Sequence, residues 1–198
     1  MTNTCGKLVL GLSNWTILTV VAGLLSSGCG GNPTSPAASN ITIYKNGTYG
    51  TWFGESLAGS AFEATFSTVS KTDALTGDTQ VLQINEQPGG AARFTISGAI
   101  GEDASSFVGG HLEFDVMLGA NAAGQTLFPG FAFASTDVST LTLSSTSFTH
   151  ISLPFSTFGF TASTGQPNIS VPFSFVIGNG PEIGTMTVYL NNIQWVHN

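Results

Sequence analysis

HLEFDVML, at residues 111–118, is a segment in which apolar and polar side chains alternate almost throughout. Successive side chains of a β-strand point to opposite faces of the sheet. A strand here therefore places the polar residues His111, Glu113 and Asp115 on one face and the apolar residues between them on the other. The segment predicts an antiparallel strand that covers a core with one face and meets water with the other.

The rest of residues 41–198 follows the same pattern in short runs. Gly, Pro, Asn and Ser bound these runs, and no long window has the period of an α-helix. The predicted strands are Ile41–Tyr44, Ala61–Val69, Gln80–Asn85, Ala92–Ser97, His111–Leu118, Gly130–Ser135, Thr140–Leu143, Thr149–Pro154, Ser170–Gly178 and Thr185–Trp195. Many short strands separated by turns are typical of an all-β fold, here an antiparallel β-sandwich or jelly roll. A segment of this length is sufficient for one domain with its own core.

An apolar run over residues 8–25 precedes the small residues Ser27 and Gly28 and then Cys29. Small residues before a cysteine are typical of a bacterial lipoprotein signal peptide, whose cysteine is lipidated. The alternative is a transmembrane anchor, because the run approaches the minimum length for crossing a bilayer. We predict a signal peptide at residues 1–28 and lipidation at Cys29.

Residues 29–40 contain two prolines and no apolar period, which is typical of a flexible tether. The folded domain then comprises residues 41–198. The residue after the lipidated cysteine is Gly30, and the absence of aspartate at this position favours the outer membrane of a Gram-negative cell. The sequence thus predicts a domain held at a membrane by its lipid.

The composition is acidic and poor in charged residues. The formal net charge is −7, and charged residues make up 8% of the chain, so its solubility depends mostly on hydroxyl and amide groups. An acidic surface repels phosphate backbones, which argues against a nucleic-acid partner. The two cysteines are Cys5, in the predicted signal peptide, and Cys29, so we expect no disulfide in the folded domain. The histidines lack the spacing of metal ligands, and we predict no metal and no cofactor.

The polar row of His111, Glu113 and Asp115 is the first candidate for chemistry. One interpretation is a ligand-contacting row, and another is the hydrated face that antiparallel strands commonly have. A third is a carboxylate pair for glycoside hydrolysis, which needs two carboxyl groups flanking the scissile bond. Glu-Phe-Asp is similar to the Glu-x-Asp-x-x-Glu strand of laminarinase-like glycosidases, but the third carboxylate is missing. We therefore predict binding without catalysis.

Arg93 and Trp52 complete the predicted site. Arg93 is the only arginine of the chain, and its guanidinium suits sugar hydroxyls or an ion pair with a carboxylate of the polar row. Trp52 lies in a glycine-flanked segment, residues 47–54, that is typical of an exposed loop. The alternative for Trp52 is a buried ring that closes one end of the sandwich. Because a sugar site combines flat rings with converging polar groups, we predict Trp52 as the stacking platform, with Arg93 and the polar row on one shared sheet face.

Several segments resemble the strands of galactose-binding-like jelly-roll carbohydrate-binding modules, which are appended to β-glucanases. FTHISLPFSTF, at residues 148–158, is similar to their strand and turn W-x-T-I-x-I-P-F-S-x-F. VYLNNIQW at 188–195 is similar to their closing strand, PFSFVIGN at 172–179 to the preceding strand, and GGHLEFDV at 109–116 to an earlier one. IYKNG, at 43–47, is similar to the start of the C-terminal domains of ExoP-type exo-β-glucanases. The resemblance implies a jelly roll and carbohydrate binding over most of the predicted domain.

Many of these modules hold a structural Ca²⁺ with an N-terminal acid and an aspartate of the closing strand, because oxygen ligands suit a hard cation. The nearest counterparts in this sequence are Lys45 and Asn191. We predict that the Lys45 ammonium takes the position of the cation and that the domain holds no metal of this kind.

The sequence as a whole predicts a membrane-anchored, non-catalytic lipoprotein that binds a polysaccharide or oligosaccharide similar to a β-glucan. The first alternative is a structural or adhesive surface lipoprotein that binds a protein partner through an exposed apolar patch. The second alternative is a degenerate laminarinase-like glycoside hydrolase.

Overall fold

The computed structural model describes residues 39–87, 91–132, 134–138, 141–161, 168–178 and 185–198, and β-strands form most of its regular structure. The strands are β1 (Ile41–Lys45), β2 (Thr48–Tyr49), β3 (Thr51–Trp52), β4 (Glu55–Ser56), β5 (Ala58–Phe62), β6 (Ala64–Ser70), β7 (Gln80–Glu86), β8 (Ala92–Ser97), β9 (Glu102–Asp103), β10 (His111–Leu118), β11 (Thr126–Phe131), β12 (Ala134–Ser135), β13 (Thr149–Pro154), β14 (Asn168–Ile169), β15 (Phe173–Gly178) and β16 (Met186–Val196). Short 3-10 helices occupy Ser105–Phe107 and Phe155–Phe158. Among the residues given above, no helix has the length and apolarity needed to cross a lipid bilayer.

The strands assemble into two main antiparallel sheets. In the seven-stranded sheet, β16 pairs with β10 along one edge and with β7 and β1 along the other. The five-stranded sheet has the order β12-β11-β15-β8-β5. The first and last strands of the domain lie side by side, and the His197 backbone N–H donates to Asn40 Oδ1 at 3.0 Å just beyond their ends. The prediction of an all-β antiparallel sandwich is confirmed.

The core lies between the two sheets and consists of the apolar side chains that alternate along the strands. Trp195, on β16, is fully buried and contacts the rings of Trp52, Phe131 and Phe155 at centroid distances of 4.8, 4.9 and 4.3 Å. Its indole Nε1 donates to the Pro172 carbonyl at 2.8 Å, so its polar atom keeps a partner in the interior. Because Phe131 belongs to β11 of the smaller sheet, this aromatic cluster joins the two layers.

Three strands have the predicted bounds, namely β8, β10 and β13. The prediction of one strand over Ala61–Val69 is wrong. The backbone adopts a left-handed conformation at Glu63, with φ of 55°, and this turn divides the segment into β5 and β6. β5 belongs to the smaller sheet and β6 to the larger, so the chain changes layers at Glu63.

Three other strand predictions need correction. The predicted strand Gly130–Ser135 is interrupted at Ala132, where φ is 47°, and β11 begins earlier than expected. Within the predicted strand Thr140–Leu143, residues 141–143 form bends or irregular backbone, and residue 140 lies outside the described residues. The predicted strand Ser170–Gly178 begins later, with β15, because the chain first forms the short ribbon of β14 with β9.

Candidate functional site

Trp52 does not provide a stacking platform, and that prediction is wrong. The side chain is 0% exposed at the end of β3. Its Nε1 donates to the Ile169 carbonyl at 2.6 Å, and its ring packs edge-on against Trp195. With its ring surface in the core and its N–H satisfied, Trp52 contributes packing, as the alternative interpretation had it.

Arg93 and the polar row do not share a surface, which corrects the second part of the predicted site. Arg93 lies on β8 of the five-stranded sheet, whereas His111, Glu113 and Asp115 lie on β10 of the seven-stranded sheet. The core separates the two sheets, so the outward faces of these strands point away from each other. Sequence alternation assigned each residue to the outside of its own strand but did not assign the strands to layers.

A different aromatic residue accompanies Arg93. In the five-stranded sheet, the register places Phe62, Arg93, Val176 and Phe128 directly opposite one another on β5, β8, β15 and β11. Directly opposite residues share a face of the sheet. Arg93 is exposed and Phe62 is 66% exposed, so an aromatic side chain and an arginine side chain reach water from directly opposite positions. We call this set the aromatic–arginine row.

A second row of small and hydroxyl-bearing residues runs beside the first. It comprises Ser60, Thr95, Ser174 and Gly130, again directly opposite one another. Ser60 Oγ and Thr95 Oγ1 lie 2.8 Å apart and form a hydrogen bond. Ser60 is exposed and Thr95 is half-buried, whereas Ser174 is 5% exposed and Gly130 is buried. The outer face of this sheet therefore offers an exposed ring, a guanidinium and the hydroxyl groups of Ser60 and Thr95 on neighbouring positions.

Phe128 is held against the sheet by a glycine. A Cβ atom added at Gly178 would lie 3.0 Å from Phe128 Cε2, which is closer than ordinary contact. The ring of Phe128 thus leans over the position where a side chain would otherwise stand. This packing leaves Phe128 half-buried. Phe128 and Phe62 are the two ends of the aromatic–arginine row.

The polar row on the larger sheet forms an internal network. Asp115 is 1% exposed, and its Oδ1 lies 2.7 Å from His150 Nδ1 on the neighbouring strand β13. His150 Nε2 lies 3.7 Å from Glu113 Oε2, and Glu113 also accepts hydrogen bonds from Ser152 and Gln194 at 3.1 Å each. Both carboxylates are thereby engaged with protein groups.

The electrostatics of Asp115 agree with a structural role. Burial raises the pKa of Asp115 above its ordinary value, the hydrogen bond with His150 lowers it, and the negative charge of Asp73 raises it. Asp115 Oδ2 is buried and has no hydrogen-bond partner among the described residues. A carboxyl group that a substrate cannot reach does not serve as acid or nucleophile in glycoside hydrolysis, which needs both groups beside the scissile bond.

The position that the resemblance assigns to Ca²⁺ is occupied by protein groups. Lys45 is exposed, and the amide of Asn191 rather than the Lys45 ammonium meets the carboxylates at this position, so the predicted role of Lys45 is wrong. Asn191 is buried, and its side-chain Nδ2 donates to the carboxylates of Asp73 and Asp78, both at 3.0 Å. Because Asn191 turns a donor toward these carboxylates, the residues present do not fit Ca²⁺, which takes oxygen ligands. Among the described residues, no group of three or more His, Cys, Asp or Glu side chains could hold a metal ion.

A cavity of about 380 Å³ lies between the end of β10 and the start of β11. Its lining carries no charged side chain, so it lacks the combination of ring, guanidinium and hydroxyls found on the sheet face. The lining residues are Leu118, Ala122, Ala123, Gly124, Gln125, Thr126, Leu127, Leu141, Thr142 and Leu143.

The fold is similar to that of several solved structures. The chain is similar to a family 30 carbohydrate-binding module of a cellulosomal cellulase of Clostridium thermocellum, with a TM-score of 0.56 and 16% identity over 81% of this chain and 99% of that one. It is also similar to a family 11 module from Clostridium thermocellum solved with a β-1,3-1,4-mixed-linked tetrasaccharide, with a TM-score of 0.52 and 15% identity over 81% of this chain and 97% of that one. The exo-1,3/1,4-β-glucanase ExoP from a Pseudoalteromonas species matches with a TM-score of 0.54 and 10% identity over 84% of this chain and 21% of the enzyme. No protein-family model and no curated protein sequence matches the chain.

These similarities show the fold of the domain. The domain has the jelly-roll β-sandwich of carbohydrate-binding modules, so the resemblance noted in the sequence is confirmed for the architecture. Since one fold hosts many functions, the function has to be argued from the residues of the site.

Proposed function

We propose that the outer face of the five-stranded sheet binds a polysaccharide or oligosaccharide without cleaving it. The observation that carries this proposal is the exposed ring of Phe62 directly opposite Arg93. The pyranose ring of a sugar has an apolar C–H face that stacks on an aromatic ring, while its hydroxyls need hydrogen-bond partners at the edge. A planar guanidinium with several donors beside the ring provides such partners.

The length of the aromatic–arginine row suits an extended chain. Phe62 and Phe128 are separated by three strand spacings, or about 14 Å. A ligand lying across the strands meets the two aromatic side chains at its ends, with Arg93 next to Phe62 in the row and the hydroxyls of Ser60 and Thr95 beside them. This arrangement supports the proposal of a β-glucan-like chain of several sugars. The family 11 module that was solved with a mixed-linked tetrasaccharide has the same kind of fold.

The proposed binding is weak. A sugar hydroxyl exchanges bonds to water for bonds to protein with little net gain, and the two side chains that carry the site, Phe62 and Arg93, are both exposed. We expect a Kd of roughly micromolar to millimolar.

Affinity electrophoresis on gels that contain soluble β-glucans tests the site. Wild type should be retarded, and Phe62→Ala should lose roughly tenfold in affinity, or about 1.4 kcal/mol. The melting temperature should barely change because the ring is mostly in water. The matched control is Phe53→Ala, which removes a ring that is 43% exposed on the separate β3–β4 ribbon and should leave retardation unchanged.

Arg93 tests the polar half of the site. Arg93→Ala should abolish the retardation, and Arg93→Lys should restore it only in part, because an ammonium does not reproduce the planar fork of donors. The proposal fails if the Phe62 and Arg93 variants migrate like wild type on every glycan that retards wild type, or if no glycan retards wild type.

We further propose that the domain is anchored to a membrane through lipidated Cys29 and the following tether, in a Gram-negative cell at the outer membrane. The support is the sequence pattern of residues 1–40 alone, because most of these residues lie outside the part of the chain that the structure describes. Metabolic labelling with an alkyne fatty acid should mark wild type and the Cys5→Ser control but not Cys29→Ser. Equal labelling of the two variants would rule out this anchor, and membrane fractionation would test the location.

A further inference from the structure

One buried carboxamide joins three separate segments of the chain. Asn191, on β16, accepts a hydrogen bond at Oδ1 from the backbone N–H of Asn46 at 3.0 Å, in the turn between β1 and β2. Its Nδ2 donates to Asp73 Oδ2 and Asp78 Oδ2, both at 3.0 Å, in the loop between β6 and β7. The side chain therefore docks this loop on the larger sheet.

The chemistry of its partners fixes the orientation of the amide. The Asn46 N–H is a backbone donor and requires an oxygen. In the reversed orientation, Nδ2 would face this donor and Oδ1 would face two carboxylates, so two favourable contacts would become repulsive. The nitrogen of Asn191 thus faces the carboxylates of Asp73 and Asp78, which we call the acidic pair.

The groups around this nitrogen are oxygens that converge on one point. Asp73 is 0% exposed, and its second oxygen accepts the Leu75 N–H at 3.0 Å. Asp78 Oδ2 also accepts the Thr76 hydroxyl at 2.8 Å, and Thr76 Oγ1 lies 3.4 Å from Asn191 Nδ2. Two carboxylates and a hydroxyl directed at one point are the surroundings that a hard cation prefers.

We propose that Asn191 Nδ2 is a built-in substitute for a hard cation, which keeps the loop between β6 and β7 docked without a metal. The positive ends of two N–H bonds take the role that a cation charge would have between Asp73 and Asp78. The site consequently differs from a Ca²⁺ site by a single functional group, the amide of Asn191 in place of a carboxylate. Asn191→Asp removes both donors and adds a third carboxylate, next to the cross-strand neighbour Asp115, which is also buried.

Thermal melting in millimolar EDTA or millimolar CaCl₂ tests this proposal. The wild-type melting temperature should be the same in both. Asn191→Asp should melt well below wild type in EDTA, because uncompensated buried carboxylates are destabilising, and CaCl₂ should raise its melting temperature by roughly 5 °C or more. Calorimetric titration with CaCl₂ should show binding to this variant and none to wild type.

The matched control is Asn85→Asp, which makes the same chemical change on the neighbouring strand β7, away from the acidic pair, and should not respond to CaCl₂. A rise of the wild-type melting temperature in CaCl₂, or a fall in EDTA, would overturn the proposal, because the site would then hold a cation as it stands. A folded Asn191→Asp protein that does not respond to CaCl₂ would overturn it as well. The wild-type measurement needs no variant, so a response of wild type to either reagent overturns the proposal even if Asn191→Asp does not fold.

Discussion

Glu86, at the end of β7, is 0% exposed although only one of its carboxyl oxygens has a hydrogen-bond partner among the described residues. Its Oε1 accepts the Ala92 N–H at 3.2 Å, and Oε2 is buried without a partner. Burial raises the pKa of Glu86 above its ordinary value of 4.5, the Ala92 hydrogen bond lowers it, and the charge of Glu63 raises it. The folded protein thus favours the neutral carboxyl group.

This shift predicts a pH dependence of stability. The stability that neutral Glu86 contributes is fully present below the unfolded pKa and is lost as the pH rises through the higher folded pKa. Glu86→Gln stays neutral at every pH. We therefore expect its free energy of unfolding to rise relative to that of wild type as the pH increases from about 4 to about 7. Urea denaturation at both pH values measures this, with Glu55→Gln, on the β3–β4 ribbon, as the control. An equal difference between variant and wild type at both pH values would contradict the prediction.

At the scale of single residues, alternation predicted the outward direction of Arg93 and of the polar row. It could not predict the burial of Trp52, because the partner of that ring is Trp195, which is remote in sequence and is brought near by the topology. Phe62 was missed for a local reason. A continuous strand would put Phe62 and Phe66 on one face, but the turn at Glu63 separates them, and Phe66 packs against the core while Phe62 faces water.

At the scale of elements, the contact between β10 and β13 rests partly on the hydrogen bond between His150 and Asp115. His150→Ala removes the hydrogen-bond partner of buried Asp115, whose other oxygen is already without one among the described residues. Leaving a buried polar group without its hydrogen-bond partner predicts a destabilisation of about 1–3 kcal/mol. The control is His111→Ala on the same face of β10, where we expect a change within about 0.5 kcal/mol. Urea unfolding compares the two, and equal small effects would show that the pair does not stabilise the sheet.

The edge of the five-stranded sheet depends on the close approach of β12 to β11. A Cβ atom at Gly130 would lie 1.9 Å from the Ala134 carbonyl oxygen, and backbone atoms cannot move aside without displacing β12. We expect Gly130→Ala to destabilise the domain by about 1–3 kcal/mol. Gly98→Ala, whose added atom meets nothing closer than 3.7 Å, should be nearly neutral. Similar melting temperatures for both variants would contradict this prediction.

The existence of most strands could be predicted, because each has its own alternation and turn residues. The breaks at Glu63 and Ala132 could not, because both are left-handed positions at residues other than glycine, which the sequence does not mark. These breaks matter for the site. The turn at Glu63 transfers the chain between layers and exposes the ring that accompanies Arg93.

At the scale of the whole molecule, the charge of −7 predicts which glycans the proposed site on the sheet face would bind. A neutral chain is held by stacking and hydroxyl contacts, which salt does not screen, whereas an anionic polysaccharide is repelled by the acidic surface. We expect the affinity for neutral mixed-linked β-glucan to change by less than about twofold between low and high NaCl concentration. Calorimetric titration at the two concentrations measures this. A steep loss of affinity with salt would indicate a charge-driven site instead.

The assembly of the sheets is the part that the sequence could not provide. Arg93 and the polar row were predicted to share a surface because both face outward, but a sandwich has two outward faces. The choice between them depends on which strands pair, and the pairing of β8 with β15 and of β10 with β16 joins residues far apart in the chain. The resemblance to carbohydrate-binding modules supplied the architecture without supplying this assignment.

The central position of β16 has a consequence for biogenesis. Residues 186–196 are the last strand of the sandwich to be synthesised, yet β10, β7 and β1 all pair with them. A partly translated chain therefore lacks the middle of its larger layer and has no complete core. Such a polypeptide cannot close its larger sheet until residues 186–196 have been made, so we expect the domain to fold only after translation has passed this strand.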